Sequence, residues 1–73
     1  MTETRERGEE LRKLRLGGKV SLDEVARRIE GLKLNDLSRL ELGYKPVSEE
    51  QFADISHAIR EIVRERAQAV GAA

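Results

Sequence analysis

The sequence predicts an all-α domain of four to five helices, the last of them long. Three observations predict it. Apolar residues recur three and four apart in successive segments, the spacing that lines one face of a helix. Two capping boxes, Ser21 with Glu24 and Ser48 with Gln51, mark helix starts. From Glu49 to about Ala69 the chain has neither Gly nor Pro.

Residues 1–7 carry alternating charges and read as a flexible tail or a frayed helix start, as termini commonly are. A minor-groove arm built on Arg5 and Arg7 is the competing reading. The first helix is expected over 8–16. Leu11 and Leu14 lie three apart and Leu16 closes the apolar set, while Arg12, Lys13 and Arg15 suit the negative end of the helix. Gly17-Gly18 stops it. Ser21 caps a second helix with an apolar face of Val25, Ala26 and Ile29, and Gly31 breaks it. A third short helix carries Leu37 and Leu40 as a narrow buried stripe, with Gly43 placed to end it in a left-handed turn. Two short helices around a glycine turn form a helix-turn-helix pattern. Residues 43–47 form a loop, because Pro46 keeps Lys45 out of helical geometry. From Ser48 one long helix follows, with Phe52, Ile55, Ile59, Ile62 and Val63 on one stripe. Arg66 interrupts that stripe and Val70 resumes it. A bend near Ser56–His57 is the variant reading, and residues 71–73 read as a frayed end.

At about 100° per residue, Leu37, Leu40 and Glu41 share one side of the third helix, and Asn35, Ser38, Arg39 and Leu42 the other. An exposed Asn and Arg one turn apart suit a helix that reads base edges, since Asn pairs bidentately with adenine and Arg with guanine. The plainer reading is a solvated polar face.

The segments G-E-E-L-R-K-L-R at Gly8–Arg15, S-L-D-E-V-A at Ser21–Ala26, L-S-R-L-E-L-G at Leu37–Gly43, K-P at Lys45–Pro46 and Q-F-A-D-I-S-H-A-I at Gln51–Ile59 together resemble the Cro/CI-type helix-turn-helix family of bacterial and phage transcriptional regulators. That resemblance implies a lambda-repressor-like domain over 8–59, binding double-stranded DNA as a homodimer with residues 34–42 in the major groove. It also implies a tie between Arg15 and Glu41, and Glu41's place on the buried side of the helix independently demands a partner. Leu22 and Leu34 stand where many members carry Gln, and the interval from Ala26 to Gly31 is one residue longer than usual. The expected base contacts therefore move to Asn35 and Arg39, with Leu34 beside them. Lys33, Ser38, Tyr44 and Lys45 are the expected backbone contacts, since phosphate contacts orient a protein on the duplex. Tyr44 reads equally well as a lid over the core.

Composition bounds the rest. A chain of 73 residues is one small domain, too small for a large pocket or a second, effector-binding unit. There is no cysteine, which rules out disulfides and thiolate metal sites. His57 is the only histidine and has no second ligand at a supporting spacing, so no metal, cofactor or enzymatic chemistry is expected. No apolar run approaches the ~20 residues of a membrane span, and the N-terminus has no apolar core for a signal peptide. A cytoplasmic protein is expected. Net charge is zero, with 14 basic and 14 acidic residues, but residues 1–45 hold 11 Lys/Arg against 9 Asp/Glu and residues 46–73 hold 3 against 5. The small basic excess lies with the helix-turn-helix half.

Residues 60–73 are expected to extend beyond the domain as a dimerisation element. Ile62 and Val63 form its apolar edge, and an apolar edge on a charged helix calls for a partner. The competing reading folds this helix back over Leu11 and Leu14. The alternative function, from a different class, is a helical protein-interaction module or antitoxin of the same fold. There, Leu22, Leu34 and Leu42 would make an apolar patch for a protein partner.

Overall fold

The computed structural model describes the backbone from Thr2 to Ala72 and the side chains of residues 5–69. Within those residues the chain is all-α, with four helices and no strand: α1 (Thr2–Gly17), α2 (Leu22–Arg28), α3 (Leu34–Leu42) and α4 (Glu49–Ala72). Both capping boxes form. Glu24 N–H donates to Ser21 Oγ at 3.1 Å and Ser21 N–H to Glu24 Oε2 at 3.0 Å. The same reciprocal pair joins Ser48 and Gln51 at 3.0 and 3.1 Å. Each satisfies two amide donors that a helix start would leave open.

The core is made of Leu11, Val20, Val25, Leu37, Leu40, Val47, Ile55, Ala58, Ile59 and Ile62, none more than 5% exposed. Each helix contributes its apolar stripe. Val20 and Val47 join the core from the links between helices, and Leu14, Leu22, Ile29, Leu32 and Phe52 pack around the outside. α1 and α2 each pack against both α3 and α4. α3 therefore sits on one side of the bundle with its other face open.

Several sequence expectations are corrected. The first helix does not begin at residue 8: it runs back to Thr2, and the 1–7 segment is helical across its described part. Arg7 fixes it there. Its Nη1 donates to the Val47 carbonyl at 2.8 Å, and its Nη2 lies 3.6 Å from Glu49. That use leaves Arg7 no part in a minor-groove arm. Leu16 is 54% exposed rather than in the core, because it lies well off the face defined by Leu11 and Leu14. α2 ends at Arg28, with Ile29 as an extended cap, so the helix stops before Gly31, which turns the chain at φ +83°.

The single long helix expected after Ser48 forms, but the core extends along it past residue 59. Ile62, expected on a dimer edge, is 5% exposed within its own chain's core. The apolar stripe of Ile55 and Ile59 continues into Ile62 without a break in period, so the helix stays on α1 and α2. Val70's side chain and Ala73 lie outside the described residues.

Two ion-pair clasps hold the later part of α4. Arg66 donates to the Lys19 carbonyl at 2.9 Å and pairs with Glu24, and Glu65 pairs with Arg28. These hydrogen bonds from Ser21 and from the arginines hold the Glu24 and Glu65 carboxyls below the usual carboxylate range.

Candidate nucleic-acid interface

α3 is nine residues long, and its two sides are sharply different. Leu37, Leu40 and Glu41 are buried, the last only 5% exposed. Glu41 is held by a two-pronged pair: Arg15 Nε donates to Oε2 at 2.7 Å and Nη2 to Oε1 at 2.9 Å. The third prong of the guanidinium, Nη1, donates to the Val20 carbonyl at 2.9 Å. The Glu41 hydrogen bonds raise the Arg15 pKa further above its already high ordinary value. One arginine of α1 thus ties α3 and the α1–α2 link together, in an environment where charge-assisted bonds are strong.

Gly8 provides the second lock. A Cβ placed there would collide with the Leu40 carbonyl oxygen and lie 3.3 Å from that of Glu41. Only glycine lets the backbones of α1 and α3 approach this closely. At its far end α3 stops at Gly43, in the left-handed region at φ +84°, with the Gly43 and Tyr44 amides returned to the last-turn carbonyls of Leu40 and Arg39. At its near end the cap residue, Lys33, offers no side-chain hydrogen bond. The first-turn amides are therefore left for solvent or an anion.

The open side carries the residues expected to meet DNA. Lys33, Leu34, Asn35 and Arg39 are exposed, and Ser38 is half-buried beside them. Leu34 is 41% exposed, so it does not belong to the core, and Tyr44, at 77%, covers nothing. Lys45 bends back over the helix start and donates to Asp36 Oδ1 at 3.0 Å. That bond, reinforced by the charges of Lys45, Arg39 and Lys33, holds the Asp36 carboxyl below its usual range. Three cations thus surround one carboxylate. Among the described residues neither Lys33 nor Arg39 has an ion-pair partner.

The structure ties Lys45 to α3 through Asp36, joins Arg15 to Glu41, and leaves Tyr44 exposed just past the end of α3. It does not bring Ile62 to any surface, and Val63 stands alone as the exposed large apolar residue of α4 among described side chains. Gly8, Val20 and Arg66 were missed as positioning residues. None carried a local signal: Gly8 stood at the expected start of a helix, Val20 alone in a link, and Arg66 only as a break in an apolar stripe.

Among the described residues, no group of three or more His, Cys, Asp or Glu is arranged to hold a metal ion, and no helix is long and apolar enough to cross a membrane. Comparison of the chain with protein-family models, curated proteins and solved structures finds no match.

Proposed function

We propose that this chain is a sequence-specific double-stranded DNA-binding regulator, a repressor that acts by placing residues 34–42 in the major groove. The observation that carries the reading is the two-sidedness of α3: an exposed face of Asn35, Arg39 and surrounding cations on a helix whose other face is locked to α1 by Arg15, Glu41 and Gly8. A rigid support for exposed bidentate side chains is what base reading requires. Arg39 would meet guanine, Asn35 adenine, and Leu34 a thymine methyl or a sugar. Lys33, Ser38, Tyr44 and, once released from Asp36, Lys45 would hold the phosphates. The uncapped start of α3 adds amide donors and the positive end of the helix dipole for one phosphate. The resemblance to Cro/CI-type regulators agrees with this assignment. Paired half-sites would set two copies about 34 Å apart along one face of the duplex, joined through a surface that excludes the buried Ile62.

Exposed Leu34, Leu42 and Tyr44 favour the second reading, a protein-interaction module or antitoxin. Leu34 and Leu42 sit at opposite ends of α3, about 12 Å apart along its axis, with polar residues between them. That separation favours the DNA reading. Selection from random duplexes tests it. Enrichment of a defined, two-fold-related site is expected, with Arg39→Ala binding that site roughly 5- to 150-fold more weakly, the range for one lost bidentate contact, at an unchanged melting temperature. No enriched sequence, or an unaltered isotherm for folded Arg39→Ala, overturns it.

A further inference from the structure

We propose that the groove between α1 and α4 is a docking site for an acidic amphipathic helix of a partner protein. It is an open cleft of about 450 Å³, within the usual size range of ligand sites. Leu14, Ile59 and Val63 form its floor, and Lys13, Arg60 and Arg64 its rim. Two glycines line it, Gly17 leaving space unfilled and Gly18 letting Val63 approach closely. A Cβ on Gly17 would meet no atom within 4 Å, and one on Gly18 would come to 2.5 Å of Val63 Cγ2. Val63 is 39% exposed within it.

Charge identifies the occupant. On the α2 side of α4 the arginines are satisfied within the chain, Arg28 by Glu65 and Arg66 by Glu24. On the α1 side, among the described residues, Lys13, Arg60 and Arg64 have no ion-pair partner, in a chain with as many acids as bases. Glu61, the nearest acid along α4, is turned to His57 at 3.4 Å. Arg60 and Arg64 stand one helical turn apart, a like-charge spacing that weakens a helix. A second copy docked here about a two-fold axis would bring the same three cations of each chain together. A nucleic acid backbone would meet the cations but leave the apolar floor wet. A helix with an apolar stripe flanked by carboxylates satisfies both, in the helix-in-groove mode. This inference is independent of the DNA reading.

The test uses the full isotopically labelled chain and a synthetic helical peptide with Leu at i, i+3, i+4 and i+7 spacing flanked by Glu, alongside the same peptide with Lys for Glu. The Glu peptide is expected to shift amide resonances in residues 13–18 and 59–64, and the Lys peptide to leave them in place. Arg60→Glu with Arg64→Glu, both exposed, should lower the affinity for the Glu peptide at least tenfold and confer binding of the Lys peptide. Gly17→Leu should fill the cleft and abolish binding, and the double charge reversal decides the matter alone if that variant fails to fold. Equal binding of the two peptides, shifts confined to other residues, or no binding overturns the proposal. So does a random-sequence duplex that shifts the same amides, or sedimentation showing a wild-type dimer that Val63→Glu dissociates.

Discussion

Glu41→Ala isolates the tie between α1 and α3. In the folded chain the Arg15 side chain is 11% exposed and that of Glu41 3%. Removing the carboxylate leaves Arg15 Nε and Nη2 without acceptors in a nearly dry site, while Nη1 keeps the Val20 carbonyl. Breaking one side of a buried pair costs about 3–5 kcal/mol, because the remaining charge stays desolvated. A domain of 73 residues has roughly 4–11 kcal/mol of total stability, so the variant sits near the edge of folding. Its melting temperature should fall by roughly 12–40 °C, followed by far-ultraviolet circular dichroism, with a parallel urea titration whose slope stays unchanged. Arg15→Met with Glu41→Leu replaces the pair by apolar side chains of similar size, which removes the orphaned charge but leaves the Val20 carbonyl unbonded at about 1–3 kcal/mol. It should therefore melt between wild type and Glu41→Ala. A Glu41→Ala curve within about 1 kcal/mol of wild type, the worth of a solvent-screened surface pair, would refute the buried-tie argument.

Gly8→Ala should destabilise by about 1–3 kcal/mol through overpacking, although Ala is the better helix former. A urea midpoint above wild type would show that α1 and α3 separate without cost. Ile62→Asp should leave the chain largely unfolded at 25 °C, since it loses about 1.5–3 kcal/mol of burial and buries a carboxylate, whereas Val63→Asp on the exposed side should shift the melt only slightly; equal effects would contradict the burial of Ile62. Folded-state pKa values below the ordinary range at Glu24, Asp36 and Glu65 mean that the unfolded chain binds protons more readily. Their contribution is complete above about pH 5 and is lost as the pH falls through the lower folded values. Melting temperature should thus decline from about pH 5 toward pH 2, less steeply in Arg28→Ala with Arg66→Ala, and a flat acid limb would contradict the clasps.

What the sequence made legible was local. Ser21 with Glu24 and Ser48 with Gln51 gave the helix starts because the capping partners lie three residues apart. The helical wheel placed Leu37, Leu40 and Glu41 inside and Asn35 and Arg39 outside, because α3 is regular. Val20 and Val47 were illegible as core, since each is a lone apolar residue in a link with no period to mark it. The segment before Gly8 is anchored by Arg7 reaching Val47, 40 residues away, a contact that leaves no local mark in the sequence. The fate of Ile62 was written in the period that it shares with Ile55 and Ile59, but the domain edge inferred from family resemblance cut that stripe too early. Exposure of Asn35 and Arg39 was legible; which bases they would meet is a property of the complex.

The link between α1 and α2 has one further consequence. Its carbonyls are served by side chains from elsewhere: Val20 by Arg15, and Lys19 by Arg66 from 47 residues on. Lys19 also holds φ +56°, in the left-handed region that non-glycine residues avoid. Such a turn stays in place only when its surroundings over-determine it, and part of those surroundings lies late in the chain. The two-helix unit over 22–42 is consequently no autonomous module. A chain that stops at Pro46 lacks Ile55, Ile59 and Ile62 to pack on and Arg66 to close the turn, and helices of seven and nine residues are too short to persist alone. The support of α3 thus rests partly on the final third of the sequence, at second hand, because α1 and α2 each pack on both α3 and α4.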